Sequence, residues 1–216
     1  MDDVSITLPP INVGRLSVVI VGDSPLITHA WSQKAREMML AKQMKKATAA
    51  KQAKNPWEDF CDSLYWISPR PDGDVTEADI EKATFGIPSI GLKNSFVTAC
   101  TSIGGITKVA ARQAFHVEGQ WVEILGSKPS MREDVVRVGM GTADLRYRGE
   151  FSPWHAVVPI RYNAAMLSPE QIVNLVNVAG FGVGIFEWRP ERDGSYGMFH
   201  VASDDEGKAL TKKAKS

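Results

Sequence analysis

The clearest apolar and polar patterning lies at 154–201. An apolar run at 154–162 predicts a strand. Ser168, Pro169 and Gln171 then predict a helix start, and Ile172, Leu175, Val176 and Ala179 recur at helical spacing until Gly180 stops them. A second apolar run at 183–188 predicts another strand. A turn rich in Pro, Asp and Gly then predicts a hairpin that returns the chain through Tyr196 to Val201.

Earlier in the chain, Pro9 and Pro10 suit an extended lead-in. The β-branched run at 16–21 ends in Gly22, Asp23, Ser24 and Pro25, a strand followed by a turn. Residues 31–54 are rich in Ala, Met, Leu, Lys and Gln and predict a helix ending at Asn55 and Pro56. Trp31, Ala35, Met38 and Met39 give it an apolar stripe, whereas the stretch from Lys45 projects. Thr76 starts a short helix with Asp79 at the capping-box position. Residues 85–91 read as an irregular loop, and 92–115 as a helix interrupted at Gly104 and Gly105, with Phe96, Val97, Cys100 and Ile103 on one face. Strands are predicted at 121–125, 135–138 and 144–148, with a polar turn at 126–134.

The strand at 16–21, the helix from Leu92 and the strand at 121–125 make one β-α-β unit, and 154–201 makes a second. Two such halves predict an α+β, ferredoxin-like (RRM-like) antiparallel sheet with helices on one face. It forms a single domain over 1–203, with insertions at about 28–85 and 126–151 and a flexible basic tail at 204–216. A competing arrangement makes 31–54 the first core helix and the helix from Leu92 an extra layer.

Composition sharpens this picture. Net charge is zero, so bulk attraction to nucleic acid is not expected and any such binding rests on local patches. The balance hides two adjacent blocks. Lys34, Arg36, Lys42, Lys45, Lys46, Lys51 and Lys54 face only Glu37, while Glu58, Asp59, Asp62, Asp72, Asp74, Glu77, Asp79 and Glu81 follow. Opposite blocks permit head-to-tail contacts between copies, hence a homo-oligomer or filament. Cys61 and Cys100 are too few for a disulfide framework. No apolar run reaches membrane-spanning length, and 1–14 lacks a secretory pattern, so the expected setting is cytoplasmic, without membrane contact.

Among candidate chemistries, HExxH, Cys/His zinc spacing, the calcium-loop spacing and GxSxG are all missing, so no metal or cofactor is expected. His29 beside a turn, and His155 and His200 in strands at the ends of the sheet, are the candidates for acid-base work. Glu187, between Phe186 and Trp188, reads as solvated. The stronger signal is basic and aromatic: Lys93, Lys128, Arg132, Arg137, Arg146, Arg148, Arg189 and Arg192, with Lys34, Lys42, Lys45 and Lys46 of the lysine-rich helix. Arginine and lysine hold phosphates while exposed aromatics such as Trp188 stack bases.

Two stretches carry a family resemblance. FGIPSIGLKNSF at 85–96 resembles the loop-to-helix junction of the repeat-associated (RAMP) superfamily, the RNA-binding backbone and processing subunits of CRISPR systems. AGFGVGIFEWR at 179–189, followed by GSYGMF at 194–199, resembles their glycine-rich loop and closing hairpin. The layout, with PLITHAWS at 25–32, also resembles tailed-phage proteins. The resemblance implies a ferredoxin-like core, insertions that act as thumbs or fingers, and polymerisation along single-stranded RNA. It implies phosphate contact at Lys93 and close backbone approach at Gly180, Gly182 and Gly184.

Three functions follow as expectations. The first is a non-catalytic protein that binds single-stranded RNA or DNA and assembles along it. The second is an RNA-cleaving enzyme of the same fold using His29 or His155. The third is a structural or inhibitory phage protein that binds a host nucleic-acid complex through its acidic block.

Overall fold

The computed structural model describes residues 10–46, 53–139 and 141–213. The first half of the chain runs β1 (Val13–Gly22), β2 (Leu26–Thr28), α1 (Gln33–Gln43), α2 (Pro56–Ser63), α3 (Glu77–Lys82), β3 (Gly86–Pro88), α4 (Ser89–Ile103) and α5 (Lys108–Ala114). The second half runs β4 (Phe115–Val117), β5 (Trp121–Glu123), β6 (Leu125–Gly126), β7 (Ser130–Val138), β8 (Thr142–Phe151), β9 (Trp154–Asn163), α6 (Pro169–Gly182), a 3-10 turn (Pro190–Arg192), β10 (Phe199–Val201) and α7 (Asp204–Lys213). The class is α+β, and every strand pair is antiparallel.

The main sheet has the order β10-β1-β9-β4, with β6 also paired to β9. Its centre is β1 against β9, in register from Val13 opposite Asn163 to Val21 opposite His155. The two-residue period of a strand puts Val18 and Ile20 of β1 with Ala156, Val158 and Ile160 of β9 on one face, and all five are buried. Leu92, Phe96 and Cys100 of α4 and Ile172, Leu175 and Val176 of α6 belong to the same core cluster. The start of α6 follows its sequence signals. Ser168 Oγ accepts from Gln171 N, Gln171 Oε1 accepts from Ser168 N, and Pro169 sits in the first turn, where it loses no helical hydrogen bond.

A second sheet, β2-β8-β7, is built on the long β7–β8 hairpin. Helix α2 packs against β8: Gly149 N donates to Ser63 Oγ at 2.8 Å, and Thr28 Oγ1 donates to the Gly149 carbonyl.

The structure corrects several expectations. The strand at 121–125 does not join the main sheet as one piece: Trp121–Glu123 pairs with β3, while the edge next to β9 is β4, entered directly from α5 through the buried Phe115. The loop expected at 85–91 is instead β3 running into α4 at Ser89. The turn expected at 126–134 is mostly strand, because β7 begins at Ser130. Helix α6 passes Gly180 and ends at Gly182. Among the described residues the helix expected at 31–54 is α1, capped by Ser32 Oγ, which accepts from Ala35 N; 47–52 lie outside the described residues. None of its residues is buried, which removes the arrangement that made it a core helix. The tail expected to be flexible is helical over Asp204–Lys213, and 214–216 lie outside the described residues. Among the described residues, no helix is long and apolar enough to cross a membrane.

Residues 183–198 depart furthest from expectation. The strand predicted at 183–188 is absent, so there is no hairpin, and of the return through Tyr196 to Val201 only Phe199–Val201 forms a strand, paired with β1. The backbone instead takes left-handed turns at Gly184, Phe186, Trp188, Asp193 and Gly197, which no ladder accommodates. Cross-ties hold the segment: Ile185 N donates to the Gly197 carbonyl, Tyr196 N to that of Trp188, and Glu187 N to that of Ile27.

Candidate functional site

The 183–198 loop and the β7–β8 hairpin enclose a groove of about 400 Å³ lined by Val136, Arg148, Phe186, Glu187, Trp188, Arg189 and Arg192. Its floor is an ion-pair network. Arg132 and Arg148 stand directly opposite each other across β7 and β8, an arrangement that is repulsive in itself. Asp134 resolves it by accepting from Arg132 Nε at 2.8 Å and from Arg148 Nη1 at 3.3 Å. Arg132 also donates to Glu150 at 2.7 Å, and its guanidinium lies 4.8 Å from the centre of the Tyr196 ring. Burial works against the Arg132 charge, but the hydrogen bonds to Glu150, Asp134 and Tyr196 outweigh it and raise its pKa above the ordinary value.

Arg148 is 5% exposed. Its Nη2 lies 3.5 Å from Glu187 Oε2, and Glu187 Oε1 lies 3.5 Å from His29 Nδ1. The His29 hydrogen bond, against the opposing effect of burial and helped by Arg148, holds the Glu187 carboxyl below its usual range. Glu187 is therefore a link in the network, with its side chain still 38% exposed. Among the described residues, Arg148 Nε is the buried side-chain nitrogen with no hydrogen-bond partner. An orphaned buried guanidinium nitrogen is costly.

The upper wall is aromatic and strained. Phe186 and Trp188 have φ of 63° and 55°, a conformation that costs a bulky residue about 1–3 kcal/mol. Phe186 stacks on Tyr65 with ring centres 5.2 Å apart. Trp188 is 41% exposed and presents its indole to solvent beside Arg192. Arg189 is committed to Glu191 Oε2 and the Phe186 carbonyl, whereas Arg192 is in no ion pair among the described residues.

The sequence-predicted basic residues therefore separate. Arg148, Arg189 and Arg192 converge on the groove. Arg132 and Arg148 were expected as exposed phosphate contacts, and both are instead tied to carboxylates because the hairpin places them face to face. Arg146 pairs with Asp144 at 2.9 Å, Arg137 is exposed on β7, and Lys128 donates to the Ala83 carbonyl. Lys93 donates to the Arg112 carbonyl and lies 3.0 Å from His116 Nδ1. Lys34 and Lys42 sit on α1, with Lys45 and Lys46 just beyond it. A basic row also went unrecognised in the sequence: Arg15, Arg161 and His116 are cross-strand neighbours on β1, β9 and β4, sharing Glu118 at 3.4 and 3.9 Å from the two arginines.

His155 and His200 do not meet. Both flank Val21, so one strand separates them, roughly 10 Å at ordinary strand spacing. His200 is 2.6 Å from Asp23 and 3.4 Å from Glu206. Burial opposes its charge, but Asp23 and then Glu206 prevail and its pKa is raised. Among the described residues, no group of three His, Cys, Asp or Glu side chains could hold a metal ion.

No protein-family model and no curated protein sequence matches the chain. Among solved structures the chain is similar to the crystal structure of Cmr6 from Pyrococcus furiosus, at 10% identity over 89% of this chain and 100% of that one, with a TM-score of 0.41. At that identity and score the likeness fixes neither the fold in detail nor a function.

Proposed function

We propose that this chain is a non-catalytic single-stranded nucleic-acid-binding protein of RAMP type, with a ferredoxin-like main sheet. The strand order β10-β1-β9-β4 and the placement of one helix-bearing connection in each half support the ferredoxin-like reading. The observation that carries the functional reading is the groove between hairpin and loop. It combines an exposed, strained Trp188 and an uncommitted Arg192 over the buried Arg148. A base stacks on Trp188, and its phosphate takes Arg192, while Arg148 stays beneath the groove, held by Asp134 and Glu187. Readout by stacking and phosphate contact is tolerant of sequence.

The groove sets a scale. Its volume of about 400 Å³ suits one or two nucleotides, with the remainder of the strand running over the surface. Loss of one aromatic platform costs about 1–3 kcal/mol per base. Trp188→Ala is therefore expected to weaken binding of a labelled single-stranded oligonucleotide about tenfold, measured by fluorescence anisotropy, with the circular dichroism spectrum unchanged. Equal affinity in Trp188→Ala and the unaltered chain would remove the groove from the binding path.

A further inference from the structure

We propose that α1 is a docking arm whose occupant is the acidic α2–α3 face of a second copy of this chain. The helix has no buried residue, yet it and its flanking residues carry Trp31, Met38, Met39, Leu40 and Met44 at exposures of 44–61%. Exposed apolar side chains on this scale mark interaction surfaces. The spacing is ordered: Arg36, Met39, Leu40 and Gln43 fall on one helical face and, with Trp31, line an open hollow of about 510 Å³. Arg36 fixes the start of that face by donating through Nε and Nη2 to the Trp31 carbonyl.

The opposite face sets Met38 between two cations, since Lys34, Met38 and Lys42 recur every fourth residue. Lys34, Lys42, Lys45 and Lys46 are exposed, and Glu37 is the one carboxylate on the helix, bonded to Gln33 at 2.9 Å. Phosphates would satisfy the lysines but bury little of a methionine and leucine stripe, so the apolar residues favour a protein partner. The chain itself holds a complementary surface. Glu58, Asp72, Asp74, Glu77 and Glu81 are exposed, and none is in an ion pair among the described residues. The Trp57 indole donates to the Val75 carbonyl at 2.6 Å, which brings the first turn of α2, with Glu58, against the segment carrying Asp74. Half-buried Trp57 thus offers an apolar centre with carboxylates beside it, the counterpart of an apolar stripe flanked by lysines.

Helix on one copy and acidic face on the next make a heterologous contact. A single short helix covers only a small area, so the association is weak and strongly screened by salt. The contact is between protein copies and does not depend on the nucleic-acid reading.

The test is sedimentation velocity of the full chain free of nucleic acid, from about 10 to about 500 µM, at about 50 and about 500 mM salt. Concentration-dependent association at low salt that is lost at high salt is expected. Lys34→Glu/Lys42→Glu and Asp74→Lys/Glu81→Lys each reverse one side without touching a buried residue or a first helical turn of the acidic face. Each alone is expected to associate at least about tenfold more weakly, and their equimolar mixture to recover association, since opposite charges meet again. A monomer at every concentration, association indifferent to both reversals, or a mixture that does not recover overturns the proposal. So does loss of single-strand binding in Lys34→Glu/Lys42→Glu with self-association intact, which would make α1 a nucleic-acid arm. Circular dichroism melting of each variant separates a lost contact from a lost fold, and Met38→Asp, exposed on α1 between Lys34 and Lys42, provides a second disruption of the same face.

Discussion

Replacing Asp134 by alanine is expected to destabilise the protein by about 3 kcal/mol, because it removes the anion between two facing arginines. Asp134 is 9% exposed and bridges Arg132 and Arg148, which are paired in register across β7 and β8. Without it, Arg132 keeps Glu150, but Arg148 keeps only Glu187 at 3.5 Å, and the two guanidinium groups repel in a poorly hydrated site. Breaking a buried pair from one side costs about 3–5 kcal/mol. The lower end applies because Arg132 is partly exposed, with 29% of its side-chain surface in solvent. For a chain of this size the melting temperature should fall by about 6–12 °C. Asp134→Asn, which keeps an acceptor and the shape, should lose less. A change below about 1 kcal/mol would mean that water, not Asp134, screens the two arginines.

Gly180→Ala is expected to cost at least about 3 kcal/mol for a reason unrelated to charge. A Cβ on Gly180 would stand 1.8 Å from the Phe199 carbonyl oxygen and 2.7 Å from its ring. The obstacle is backbone, so no rotamer change relieves it, and α6 must move off β10. Gly182 in the last turn of the same helix is the control: nothing lies within 4 Å of its Cβ position. Gly182→Ala should be neutral or slightly stabilising, since alanine favours helix by up to about 1 kcal/mol over glycine. Urea unfolding of the two variants compares them directly. Equal stability would show that α6 does not need this close approach to β10.

The central sheet and its helices were legible because their signals are local. The β-branched run of β1, the alternation of β9 and the capping box of α6 each specify an element within a few residues. What the sequence did not convey is how distant segments share space. The run at 183–188 is apolar enough for a strand, but Val183 and Ile185 are buried as anchors of a looped backbone. Only the glycines at 184 and 197 hinted at left-handed turns. The second strand of the first half was misplaced because Phe115 continues the helical spacing of 92–115 while packing as a strand residue.

The site was half legible for a related reason. Arg148, Arg189 and Arg192 were readable as cations near aromatics, and they do line one groove. That Arg132 and Arg148 are consumed by Asp134, Glu150 and Glu187 depends on the hairpin register and on the loop folding back over it. Composition carries no information on that pairing.

The central claim is that Trp188 and Arg192, above the buried Arg148 network, form a seat for a nucleotide of a single strand. A salt series of anisotropy titrations with labelled single-stranded RNA and DNA tests it most directly. One phosphate contact through Arg192 predicts a slope of log affinity on log salt of about −0.7, and Arg192→Ala should bring it close to zero. No binding to either strand at about 50 mM salt, or an unchanged slope in Arg192→Ala, would contradict the claim.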